Sequence, residues 1–280
     1  MKDKVIIITG ASSGIGLALA HEFASRGTKL VLAARSIDKL QETGKQLQAK
    51  GIETLSVKTD VSIEDDCKKL IEKAIAHFGR IDILVNNAGI SMRALFKDLD
   101  LSVIRRLMDV NFWGTVYCTK YALPHLLASR GSVVGIISIA GHIGLPARTG
   151  YSASKFAVRG FLDALRAENL KTGLHVLVVA PGFTRSNIRN VALVADGSTQ
   201  GESPRNEKKM MSAEECARQI VRATQKRKNQ LIQTFYEGKL AVTLNKFFPS
   251  LTTRMVYNHL AKETNSPIKK LNSSYKCNFF

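Results

Sequence analysis

Little in this sequence could cross-link the chain or carry it through a membrane. Its four cysteines, Cys67, Cys118, Cys216 and Cys277, stand far apart with no CxxC pair. That argues against a disulfide framework and a thiolate metal site, so reduced thiols in a cytoplasmic protein and no metal are expected. The apolar stretches 5–8, 133–137 and 176–180 are only strand length, against the roughly 18 residues of a spanning helix. Nothing behind Met1 reads as a secretory leader or an amino-terminal anchor, because the chain runs at once into a buried strand. Repeats, heptads and low-complexity blocks are lacking, which argues against a solenoid or a coiled coil.

What is present is an ordinary globular composition: 280 residues, 45% hydrophobic and 23% charged, enough for one compact unit with a substantial core. The formal charge is +18, and residues 185–280 carry 17 Lys/Arg against 7 Asp/Glu. Such a surface suits an anionic cofactor, anionic lipid or nucleic acid. No nucleic-acid module or aromatic-basic interleaving accompanies it, so no nucleic-acid partner is expected. The plainer reading of the charge, a solvated basic surface, is preferred.

Apolar β-branched runs at 5–9, 30–34 and 54–58 alternate with segments of helical period at 14–26 and 37–50. The alternation continues through a helix at 63–78, a strand at 83–86, a helix at 103–129, a strand at 132–137, a helix at 151–171 and a strand at 175–180. This predicts an α/β fold, a single Rossmann-like doubly wound parallel sheet with helices on both faces and ligands at the carboxyl ends of the strands. Residues 183–211 break the pattern as a long polar loop, expected to meet substrate. Ser212 and Glu215 form a capping box opening a helix at 212–228, and a short strand at 231–234 follows.

The segment 238–262 then sets Leu240, Leu244, Phe247, Phe248, Leu251, Met255 and Leu260 against Lys239, Lys246, Arg254 and Lys262, with Pro249 as a break. An amphipathic face of this kind fits three arrangements: cover over the substrate pocket, a subunit contact, or peripheral membrane contact. The expected division is a catalytic unit at 1–237 and an amphipathic basic extension at 238–280.

The first strand runs into Thr9-Gly10-Ala11-Ser12-Ser13-Gly14-Ile15-Gly16 at the start of a helix. Glycine suits this turn because a phosphate must approach the backbone closely, and the helix N-terminus offers free N–H groups and positive dipole. The second strand ends Ala33-Ala34-Arg35-Ser36, without the carboxylate that would accept from a ribose 2′-hydroxyl. Arg35 can instead pair with a 2′-phosphate, which favours NADP(H).

Together with Asp60-Val61, Asn86-Asn87-Ala88-Gly89, Asn111, Ser138, Tyr151-Ser152-Ala153-Ser154-Lys155 and Pro181-Gly182-Phe183-Thr184, this turn resembles the short-chain dehydrogenase/reductase family over about residues 4–184. The resemblance implies that Gly10, Ser12, Ser13, Gly14, Ile15 and Gly16 cradle the cofactor, that Asp60 and Val61 hold its adenine, and that Asn87, Ala88 and Gly89 line its ribose. Pro181, Gly182 and Thr184 would meet its carboxamide end. It further implies a catalytic tetrad of Asn111, Ser138, Tyr151 and Lys155, with Lys155 also holding the nicotinamide ribose, and Asn111 bending its helix and retaining a water. Ile137 departs from the serine common before the catalytic one, but Ser138 keeps its spacing to Tyr151.

Tyr151 and Lys155 stand i and i+4 on one helix, so they share a face. An ammonium about 5 Å from a phenol contributes on the order of 3 kcal/mol at an effective dielectric of ~20, and oxidised nicotinamide adds a similar amount, so with cofactor bound a phenol depressed by two units or more is expected. Singly, a tyrosine at a helix start is a packing residue, an asparagine a kink and a serine a turn former; jointly, at these spacings, they point to proton transfer. His142 reads more simply as a loop histidine than as a substrate contact. Residues 191–198 (VALVADGS) and the basic-apolar end resemble the dehydrogenase/reductase member 7B subgroup, neighbours of the hydroxysteroid dehydrogenases. That implies hydride transfer to or from a bulky apolar alcohol or ketone, in a homo-oligomer (dimer or tetramer). The alternative is a non-catalytic NADP-binding sensor or scaffold.

Overall fold

The pairings within the seven-stranded sheet of the described residues are all parallel, in the order β3-β2-β1-β4-β5-β6-β7. The computed structural model describes residues 1–207 and 210–269. The strands are β1 (Val5–Thr9), β2 (Lys29–Ala34), β3 (Thr54–Lys58), β4 (Ile83–Asn86), β5 (Ser132–Ile136), β6 (His175–Ala180) and β7 (Gln230–Ile232). Between them run α1 (Gly14–Ala24), α2 (Ile37–Gln48), α3 (Glu64–Phe78), α4 (Leu101–Leu107), α5 (Gly114–Ala128), α6 (Thr149–Glu168) and α7 (Ala213–Gln225), and α8 (Ala241–Phe247) and α9 (Pro249–Ala261) follow β7.

The apolar runs are continuous because both faces of the sheet are covered. On β1, Val5 and Ile7 join one core cluster with Leu70, Cys118 and Leu162 from α3, α5 and α6. Ile6 and Ile8 join the other, with Leu19, Leu40 and Ile220 from α1, α2 and α7. The chain starts in the middle of the sheet, winds out to β3 and returns to β4 on the other side of β1. The strand order reverses between β1 and β4, and the crevice there is where such sheets bind ligands.

The single helix expected at 103–129 is divided: α4 and α5 are joined by a π-helical turn, Met108–Trp113, with Asn111 buried inside it. The Thr115 hydroxyl donates to the Asn111 carbonyl at 2.9 Å, taking up one backbone acceptor that a wide turn leaves poorly served. The strand expected to reach residue 137 stops at Ile136, and the helix expected to reach 171 stops at Glu168. Ser212 does cap α7, accepting from the Glu215 N–H at 3.1 Å. The Glu215 carboxylate does not complete the box; it accepts from Gln219 at 2.8 Å and from Arg218.

Residues 183–207 are irregular, tied down by bridges of Thr184 to Met211, Leu193 to Met92 and Leu193 to Thr199. Among the described residues no helix is long and apolar enough to cross a membrane. Cys67, Cys118 and Cys216 are free and buried; Cys277 and the remaining tail after Lys269 lie outside the described residues.

Candidate functional site

The glycine turn is built by its own backbone demands. Gly10 and Gly14 have φ of +67° and +55°, where a side chain is strained. A Cβ on Gly16 would stand 2.2 Å from the Gly10 carbonyl and 2.6 Å from the Asn87 amide nitrogen. Part of the glycine requirement is therefore internal: the turn packs against the segment after β4. Thr9, given no role from the sequence, makes that joint. Its hydroxyl accepts from the backbone N–H of Asn87 and of Ala88, each at 3.0 Å, while the Asn87 amide donates to the Thr9 carbonyl at 2.9 Å. Ser13, at the N-cap of α1, makes no side-chain cap. Ser12 is half-buried and Ser13 exposed, beside the positive end of α1.

Arg35 is exposed at the end of β2, and its neighbours on the strand pair with the site: Ala11 N–H donates to Ala33 and Thr59 N–H to Ala34. Asp60 turns its carboxylate to the Ser62 N–H and hydroxyl, at 3.0 and 2.7 Å. Val61 is buried, within 3 Å of where a Cβ on Gly114 would lie.

Asn111, Gly89, Ser138, Tyr151 and Lys155 meet over the ends of β4 and β5. The Asn111 amide exchanges hydrogen bonds with Ile90, accepting from its N–H at 2.8 Å and donating to its carbonyl at 3.0 Å, and donates to the Ser154 hydroxyl at 2.9 Å. A Cβ on Gly89 would lie 3.0 Å from Asn111 Oδ1 and 3.3 Å from Lys155 Nζ. Lys155 Nζ donates to the Ile136 carbonyl at 2.9 Å and lies 5.9 Å from the centre of the Tyr151 ring.

Burial holds the Tyr151 phenol above its ordinary value, opposed by the adjoining Ser138 hydroxyl and by the Arg148 and Arg189 guanidiniums. Burial also brings the Lys155 ammonium down from 10.5 to about 8. In the protein alone the cost of burying a phenolate is the largest of these effects, whereas the depression expected from the sequence counted a positively charged nicotinamide beside Lys155.

Ser138 also lines a cavity of about 310 Å³ whose other walls include Ile143, Leu145, Pro181, Phe183, Leu244, Met255 and Leu260. The segment 238–262 thus contributes directly to the pocket: Leu244, Met255 and Leu260 line it. Phe247, Phe248 and Leu251 are 72%, 57% and 51% exposed. Thr184 is buried beside this wall and donates to the Gly182 carbonyl at 3.2 Å. His142 does not line the cavity; its buried ring stands 3.5 Å from the Gln230 amide, and burial lowers it to about 4.

Residues 4–194 match the family model described as short chain dehydrogenase. The chain is 34% identical over 271 residues to dehydrogenase/reductase SDR family member 7B of Mus musculus, covering 95% of this chain and 84% of the relative. It is 40% identical over 223 residues to the 11-beta-hydroxysteroid dehydrogenase-like 4A protein of Arabidopsis thaliana, covering 79% and 73%. A short chain dehydrogenase/reductase of Burkholderia phymatum in complex with NAD superposes with a TM-score of 0.80 at 25% identity, covering 89% of this chain and 95% of the other. An alcohol dehydrogenase of Thermococcus sibiricus complexed with 5-hydroxy-NADP gives 0.71 at 26% identity, covering 82% and 94%. The chain belongs to the short-chain dehydrogenase/reductase family. It is an oxidoreductase on a nucleotide-binding Rossmann-like fold.

Proposed function

We propose that the chain is an NADP(H)-dependent carbonyl reductase or alcohol dehydrogenase acting on bulky apolar ketones and secondary alcohols. The observation that carries this reading is Ser138, which adjoins Tyr151 and at the same time lines the largely apolar cavity. Steroid-, retinoid- or lipid-like carbonyl compounds suit such walls, and the name of the Arabidopsis relative points the same way. NADP(H) is favoured over NADH by Arg35, exposed where an NAD site would carry an acid.

The residues present fit that cofactor. Gly10, Gly14 and Gly16 keep three Cβ atoms out of the turn, and with Ser12, Ser13 and Ile15 they lead into a helix N-terminus that has no side-chain cap. Asp60 and Val61 would hold the adenine, Asn87, Ala88 and Gly89 would line the ribose, and Pro181, Gly182 and Thr184 would meet the carboxamide end. Bound NADPH supplies the hydride. Ser138 donates to the carbonyl oxygen and fixes its position, and Tyr151, kept protonated by burial, gives that oxygen its proton. Lys155 stabilises the phenolate left behind and holds the ribose hydroxyls. Asn111 clamps Ile90 to Ser154, the residue before Lys155.

In this reading 1–237 is the catalytic unit and 238–280 an extension, of which Ala241, Leu244, Met255 and Leu260 line the pocket. The outward Phe247, Phe248 and Leu251, with Lys246 and Arg254 beside them in sequence, favour peripheral contact with anionic membrane. Trp113 and Phe156, both 43% exposed, support a homo-oligomer through the long helices. The direct test is a panel of bulky and small ketones and alcohols, followed by absorbance of NADPH and of NADH. Turnover of bulky ketones with NADPH is expected. A chain that binds NADPH and turns over nothing in the panel is instead a binding-only sensor.

A further inference from the structure

Nine of the sixteen residues around the cavity come from 236–260, yet this wall has little apolar anchorage of its own. α8 buries only Val242, and α9 only Thr252 and Leu260. Its start is no firmer: Thr234, at the exit of β7, has φ 62° and ψ 151°, a conformation a non-glycine residue holds only under strain.

The far end is held by charge. Just past α9, the Glu263 side chain is 4% exposed and faces three arginines from three separate parts of the chain. Arg205, from the loop before α7, donates to Oε1 at 2.8 Å. Arg148, the residue before α6, reaches both oxygens at 3.3 and 3.4 Å. Arg93, from the segment after β4, brings Nε to 3.4 Å from Oε2 and donates through Nη2 to the Thr264 carbonyl at 2.6 Å. Burial pushes the carboxyl up, but Arg148, Arg205 and Arg93 outweigh it and hold it below its usual range. Glu202 near Arg93 and Glu237 near Arg205 add negative charge to the rim of the cluster.

The cluster is continuous with the pocket. The Arg205 guanidinium stacks 3.5 Å above the centre of the Phe183 ring, and its Nη1 is 3.1 Å from His259 Nε2. Phe183 and His259 both line the cavity and stack with centres 6.1 Å apart. Arg148 is three residues before Tyr151 and hydrogen-bonds through its backbone to Leu145, another lining residue.

We propose that Glu263 is a positioning residue for substrate selection: its carboxylate latches the C-terminal wall of the pocket to Arg93, Arg148 and Arg205, so that bulky apolar substrates meet a closed surface. This rests on the reading of the cavity as the substrate pocket. Truncating one member of a buried ion cluster leaves the others uncompensated, so the wall loosens while Ser138, just past β5, and Tyr151, in α6, keep their places.

The test compares the full chain with Glu263→Gln, which keeps the shape and removes the charge, and Glu263→Asp, which keeps the charge on a shorter stem. The selectivity for a bulky over a small ketone, as a ratio of kcat/KM values, falls about tenfold in Glu263→Gln, mostly through KM for the bulky substrate, and is partly restored in Glu263→Asp. A proportional loss on both substrates, or an unchanged ratio, overturns the proposal. Limited trypsin digestion gives a readout independent of activity, through Lys239, Lys246, Arg254 and Lys262. Cleavage there is faster in Glu263→Gln while the fragment carrying the sheet stays intact. Equal rates overturn the latch even if no carbonyl compound is ever reduced, whereas a wild type that reduces none, with faster cleavage in the variant, overturns only the reading of the reaction.

Discussion

Removing the ammonium of Lys155 is expected to stabilise the protein while disabling it. The drop of that group from 10.5 to about 8 means that keeping it charged at pH 7 costs about 3 kcal/mol of folding free energy. Lys155→Met keeps the apolar stem and removes the charge; the lost hydrogen bond to the Ile136 carbonyl returns about 1 kcal/mol of that. The net gain is about 2 kcal/mol at pH 7, or a midpoint about 5 °C higher. The sign with pH follows from the lowered value. Between about 8 and 10.5 the unfolded chain binds more protons than the folded one, so wild-type stability rises relative to the variant and the gap closes by about pH 10. Thermal melts of both proteins at pH 7 and pH 10, with NADPH-dependent turnover measured alongside, check this. A variant less stable than wild type at pH 7, or a gap independent of pH, refutes the reasoning.

Ala34→Asp combined with Arg35→Ile is expected to move the preference toward NADH, by adding a ribose acceptor and removing the phosphate partner; equal kcat/KM for NADH and NADPH in the unmodified chain contradicts the assignment of Arg35. Gly16→Ala puts a methyl 2.2 Å from the Gly10 carbonyl, and a loss of about 1–3 kcal/mol in urea unfolding is expected together with weakened NADPH binding. Sedimentation with anionic and neutral vesicles tests the outward apolar face: the full chain pellets with anionic vesicles at low salt, and a Phe247→Ser/Phe248→Ser/Leu251→Ser variant stays in solution. A full chain that stays in solution with anionic vesicles rules out the membrane contact and leaves the pocket wall and a subunit contact as the roles of that segment.

The features legible in the sequence are those set by neighbours along the chain. The Val5–Thr9 run, the glycine turn behind it and the Tyr151–Lys155 spacing each need only local pattern, and each stands in the structure where the pattern places it. The break at Asn111 was legible only through the resemblance, which implies that Asn111 bends its helix; the apolar period runs unbroken through it, and the contacts with Ile90 and Ser154 that hold Asn111 are tertiary. The direction of the Tyr151 shift needed burial, which spacing does not contain. Thr9 sits in a motif that hinted at importance, but its partners lie 78 and 79 residues away. Glu263 carried no signal at all, since Arg205 and Arg148 reach it from 58 and 115 residues distant.

The claim at the centre of this account is that Tyr151 delivers the proton that accompanies hydride transfer. Tyr151→Phe keeps the buried ring and removes only the exchangeable proton. Purified wild type and variant compared on the same bulky ketone with NADPH should differ in kcat by roughly 10² or more, with the NADPH dissociation constant nearly unchanged. Wild-type turnover retained by the variant would contradict the account directly.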